Sequence, residues 1–191
     1  MIHIAIAHIA NHLNQYLKRA FDLNEDIVVT SNIVEQDGTV VSHINNKLVM
    51  CLINVEKDTV ALRQQMNGNS GGQRIVTGPP PLYFNLYLMV IGHFSSNNYS
   101  EALKFLSNSI SFFQRSPVFD HASTPDLDKR IDRLVLDIEN LNFQDLSNVW
   151  GVLGGRYLPS VLYKVRMVVF DAGDVRGQTA TVQEPQYSIH A

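Results

Sequence analysis

The stretch LYFNLYLMVI, Leu82 to Ile91, is nearly continuous in apolar and aromatic side chains. A strand with one face in water alternates polar and apolar residues, whereas a strand covered on both faces need not. The stretch therefore predicts a central strand, and it is too short for the roughly 20 residues of a membrane helix. The segment immediately before it, Ala61 to Pro81, contains Asn67-Gly68-Asn69-Ser70-Gly71-Gly72 and ends in Gly78-Pro79-Pro80-Pro81. Glycine's freedom and proline's missing N–H exclude regular structure there, so the segment reads as a long exposed loop. Loops of that length are functional contact arms or plain connectors, and the residues leave both open.

Downstream, Asn98 stands three residues before Glu101, a capping-box spacing, and opens a helix through Leu103, Leu106, Ile110 and Phe113 that stops at Pro117. Phe105 and Phe112 widen its apolar face, which predicts packing on two sides. From Arg130 to Leu141, Leu134, Leu136 and Ile138 alternate with Arg133, Val135, Asp137 and Glu139, a strand period. Asn142 caps a short helix with Leu146, Val149, Trp150 and Leu153 on its apolar face, and Gly154-Gly155 stops it. Ser160 to Phe170 is the last strand, with Val161, Tyr163, Val165, Met167 and Val169 on one side and Lys164 and Arg166 on the other. Trp150 and Tyr163 read as core.

Upstream, Ile6, Ile9, Ala10, Leu13, Leu17 and Ala20 share one helical face, with His8, His12, Gln15 and Arg19 as a polar stripe opposite, so a helix spans Ile2 to Phe21. Its first residues lack the basic flank of a signal peptide, and histidines interrupt the apolar run. Ile27 to Val29, Ile33-Val34 and Leu48 to Val55 read as strands, with Gln36-Asp37-Gly38 as a turn. The element order predicts a single α+β domain over residues 1–171, with a mostly antiparallel or mixed sheet flanked by helices. Residues 172–191 have little apolar pattern and read as a tail that orders only on a partner.

The composition, 45% hydrophobic and 17% charged over 191 residues, suits one packed domain. A net charge of −3 leaves no excess of cations for a phosphate backbone, so nucleic acid is not expected as a partner. Cys51, the only cysteine, excludes an intrachain disulfide and a Cys-rich zinc site, and suits a reducing, cytoplasmic setting.

His8 and His12 are four apart, a metal-ligand spacing, but Ile9 stands where a zinc-protease helix carries Glu, and a solvated polar face is the expectation. There is no G-x-x-x-x-G-K-[ST] loop and no G-x-S-x-G elbow, and the glycines from Gly68 to Gly72 lack a flanking strand and helix start. Asp137 and Glu139 read as solvated strand charges. The residues thus point to no catalytic centre, cofactor or metal, and to no enzyme. Candidate protein contacts are Asn67, Gly68, Asn69 and Arg74 in the long loop, Arg156, Tyr157 and Pro159 in the last turn, and Arg176 and Tyr187 in the tail.

One segment carries more than composition: Leu141 to Trp150, then Gly154-Gly155, Pro159-Ser160 and Tyr163-Lys164-Val165. A helix bearing a Trp, a Gly-rich turn, a Pro-Ser step and a Tyr-x-Val strand resemble the cap family of extracellular contractile injection systems, the antifeeding-prophage type. The N-terminal helix, Asn54-Val55-Glu56, Pro80-Pro81-Leu82, Glu101-Ala102-Leu103 and Pro117-Val118 follow in the same order, so the resemblance spans roughly Ile2 to Asp171. It implies a non-enzymatic subunit that forms a ring, a homohexamer, and ends a tail by binding inner-tube and sheath proteins. It would assemble in the cytoplasm and then join a phage-tail-like particle, with no membrane partner. The long loop and the tail would be its arms, the tail adding a strand to a sheath subunit. A monomeric adaptor or assembly chaperone with one protein partner is the alternative.

Overall fold

The stretch from Leu82 is a strand in the computed structural model, which describes residues 1–58 and 82–169. In chain order the elements are α1 (Ile2–Phe21), β1 (Val28–Thr30), a 3-10 turn (Ser42–Ile44), β2 (Lys47–Lys57), β3 (Leu82–His93), a second 3-10 turn (Ser96–Asn98), α2 (Tyr99–Arg115), β4 (Val118–Asp120), β5 (Ile131–Ile138), α3 (Phe143–Val152) and β6 (Ser160–Val169). The strands form one sheet in the order β1-β2-β3-β6-β5-β4. Among the described residues only β1 and β2 run parallel; every other pair is antiparallel. The domain is therefore α+β with a mixed, mostly antiparallel sheet, as the element order predicts.

The continuous apolar character of β3 follows from its place between β2 and β6, with a core on each face. Leu86, Leu88 and Val90 point into the larger core, which holds Ile9, Leu13 and Leu17 of α1, Phe105 and Phe113 of α2, and Tyr163, Val165 and Met167 of β6. Met89 and Ile91 point the other way, into a smaller core with Val49 and Cys51 of β2, Trp150 of α3, and Ile33, Val41 and Ile44. The sheet thus lies between two helices on one side and one helix plus an irregular segment on the other. Gly92 sets the approach of α2, since a Cβ there would lie 3.1 Å from the Ala102 methyl.

Asn14, buried on α1, fixes that helix to the edge of the sheet. Its amide donates to the Val28 carbonyl at 2.8 Å, and its Oδ1 accepts from the N–H groups of Ile27 and Val28 at 3.0 and 2.8 Å. An edge strand's free backbone groups would otherwise be stranded beneath the helix.

Four expectations need correction. Ile33-Val34 is not a strand: Val34 makes one isolated bridge to Val40 around a tight turn, with Gly38 at φ 82° and Asp37 Oδ1 accepting from the Thr39 N–H at 2.9 Å. Asn98 does not cap α2 with its side chain, because a 3-10 turn leads into the helix and its amide faces Asn46 Oδ1 instead, at 3.4 Å. β4 is an additional strand too short to show a period, paired to β5 from Val118 to Asp120. His8 is not on a solvated stripe; it is only 7% exposed, because α1 is covered by β4 as well as by the sheet's centre.

Candidate interaction surface

Leu141 to Pro159, the first part of the segment that carries the family resemblance, builds a capped helix and a defined turn. Asn142 Oδ1 accepts from the Asp145 N–H at 2.9 Å, and its amide donates to the Asp145 carboxylate at 2.7 Å. The carboxylate also complements the positive end of the helix dipole. Trp150 is buried against the sheet, with Leu146, Val149 and Leu153 packed beside it. At the other end the Gly155 N–H donates to the Trp150 carbonyl at 2.7 Å, the six-residue closure of a helix C-terminus. That closure needs the positive φ of Gly154, 104°, and a Cβ there would also lie 3.0 Å from Val34 Cγ1.

The helix is longer than the surface that covers it. Phe143, Leu146 and Trp150 follow helical spacing on one stripe, yet Phe143 is 92% exposed, so the stripe continues past the core. At the far end Val152 is 86% exposed, and beyond it Arg156 and Tyr157 are exposed in the turn, with the Tyr157 ring edge-on to Trp150 at 5.7 Å. Aromatic and Arg side chains held on a rigid support are the usual anchors of protein interfaces. Pro159 is different: it is buried, and its carbonyl accepts from the Gly92 N–H at 2.9 Å, so it joins the turn to β3 and offers no outer surface. Asn67, Gly68, Asn69, Arg74, Arg176 and Tyr187 lie outside the described residues, as do the long loop and the tail.

A second surface is the outer edge of β2. The parallel β1 pairs only with Leu48 to Met50; among the described residues no strand pairs with that edge from Leu52 to Lys57. Leu52 and Val55 are exposed there. A bulge between Leu52 and Asn54 turns the edge, Asn54 Oδ1 accepts from the Val55 N–H at 2.9 Å, and Glu56 accepts from the Tyr87 hydroxyl at 3.0 Å. Desolvation first, then that carboxylate, pushes the Tyr87 phenol above its ordinary range. Bulges and charged residues limit indiscriminate pairing of an open edge.

Cys51 is buried and its thiol pushed up by desolvation, the opposite of an activated nucleophile. Asp137 pairs with Arg166 at 2.7 Å across β5 and β6 as an exposed ion pair. Among the described residues no helix is long and apolar enough to cross a membrane.

The fold is shared with two solved structures. The sheath/tube terminator of an extracellular contractile injection system, PVC, solved in its extended state, superposes with a TM-score of 0.56 at 16% identity, covering 96% of this chain and 62% of that one. The tube-terminating cap of the anti-feeding prophage gives 0.56 at 12% identity, covering 94% and 60%. This chain therefore spans about three fifths of the length of each. No curated protein matches it by sequence. The chain belongs to the Pvc16 N-terminal domain family, whose model matches residues 5–184.

Proposed function

We propose that the chain is a structural cap, or terminator, subunit that ends the tube and sheath of a contractile, phage-tail-like particle. The family match over residues 5–184 carries this reading. Copies join head to tail in a closed ring, a homohexamer, assembled in the cytoplasm and then retained in the particle. A head-to-tail contact uses two different surfaces of one subunit, and the ends of α3 and the open β2 edge are two such surfaces. The ring would seat on the inner tube and engage the sheath. Residues 1–171 are the folded unit of this proposal, and residues 172–191 the arm that adds a strand to a sheath subunit.

Light scattering of the purified chain, alone and mixed with its tube and sheath proteins, tests the reading. A six-fold mass, or a monomer that forms a ring only on tube ends, is expected. A monomer indifferent to both proteins would leave the single-partner adaptor. Deleting the residues after Asp171 should abolish sheath binding, and unchanged binding would remove the arm from the proposal.

A further inference from the structure

His8 and His12 stand one helical turn apart on α1, with ring centroids 4.4 Å apart, and both rings meet the edge or face of Phe119 of β4 at 5.7 and 5.6 Å. The loop from β4 to β5 brings Asp126 to the same place. One carboxylate oxygen, Oδ2, lies 3.6 Å from His8 Nδ1 and 3.3 Å from His12 Nε2. One candidate ligand atom from each of the three residues lies within 4.8 Å of the other two. Zinc bound tetrahedrally at about 2.0–2.1 Å separates its ligands by about 3.3–3.4 Å. The two His–Asp spacings are already near that value, and small side-chain rotations would close the third.

The loop that carries Asp126 is held on both sides. Asp120 Oδ1 accepts from the N–H groups of Ala122 and Ser123 at 3.1 and 2.8 Å, and the Thr124 hydroxyl donates to the Asp120 carbonyl at 2.9 Å. Leu127 is buried in the larger core, and Asp128 Oδ1 accepts from the Arg130 N–H at 2.9 Å. Asp126 is thereby set opposite α1 while its side chain remains 66% exposed, leaving an entry path and room for water as a further ligand.

We propose that His8, His12 and Asp126 bind one divalent transition-metal ion of the zinc type and thereby clamp the β4–β5 loop to α1. Two imidazoles and one carboxylate suit such an ion, whereas calcium and magnesium take oxygen donors. His8 Nε2 is buried with no hydrogen-bond partner among the described residues. The ring's polar engagement is therefore through Nδ1, on the side of the proposed ion.

Calorimetry with zinc chloride on the untagged full chain, repeated with cobalt(II) and its visible absorption, tests the site. One ion per chain is expected, with binding at least about 100-fold weaker in Asp126→Asn and in His12→Gln, and unchanged in His121→Ala, an exposed histidine of the same loop. Asp126 is mostly solvent-exposed, so Asp126→Asn decides the matter even if His12→Gln folds poorly. No binding by the parent chain, or equal binding by Asp126→Asn, would overturn the proposal and leave His8, His12 and Asp126 as an ordinary polar contact.

Discussion

Replacing Phe143 and Val152 of α3 by serine separates assembly from folding. Both side chains already face water, 92% and 86% exposed, so the isolated chain has little burial to lose, and surface changes of this kind stay within about 0.5 kcal/mol. The Asn142 cap uses the Asp145 N–H and carboxylate, and neither substitution touches it. If α3 is an interface, each side chain becomes buried on assembly, a gain of about 1.5–3 kcal/mol apiece. Losing both removes about 3–6 kcal/mol, and with a factor of ten for each 1.4 kcal/mol the association constant should fall by about 10²–10⁴. Thermal melts should overlay those of the parent, while light scattering against tube and sheath proteins should show the loss. Overlapping melts with undiminished assembly would refute a role for α3 in the interface.

Four further outcomes follow from the packing. Asn14→Ala strands the N–H and carbonyl of Val28 under α1; at about 1–3 kcal/mol per buried group, urea titration should show a loss of about 2–6 kcal/mol. Asn142→Ala removes a helix cap worth about 1 kcal/mol, which should lower the urea midpoint while leaving the larger core intact. Cys51 and Tyr163 both have ionisations pushed up by desolvation. Both states hold these protons below the ordinary values of 9.0 and 10.0, and above them the unfolded chain sheds its protons first, so stability should fall as pH rises into the alkaline range. Alkylation of Cys51 by iodoacetamide should accordingly be slow in the native chain and fast in urea; equal rates would contradict its burial.

Local pattern was enough wherever one element contained its own evidence. The apolar period of α1, the unbroken apolar run of β3, the Asn142 cap and the two glycines after α3 each state a backbone preference within a few residues, and the structure follows all of them. β4 was illegible because three residues carry no period and Phe119 is recruited by its pairing with Leu134. Asn98 misled because its spacing to Glu101 is right for a cap, while its amide is engaged by Asn46, 52 residues away.

The same division holds for function. The segment from Leu141 to Tyr163 determined the family because its packing and turn residues are contiguous in sequence. What only tertiary structure decided is which side chains are left uncovered and which distant ones meet. Phe143 continues an apolar stripe that predicts burial, and it lies in water because the core ends before the helix does. His8 and His12 read as solvated until β4 covers them and the next loop delivers Asp126, 114 residues beyond His12. Hydrophobic period reports a residue's own element, whereas burial and ligand geometry depend on the elements that fold against it.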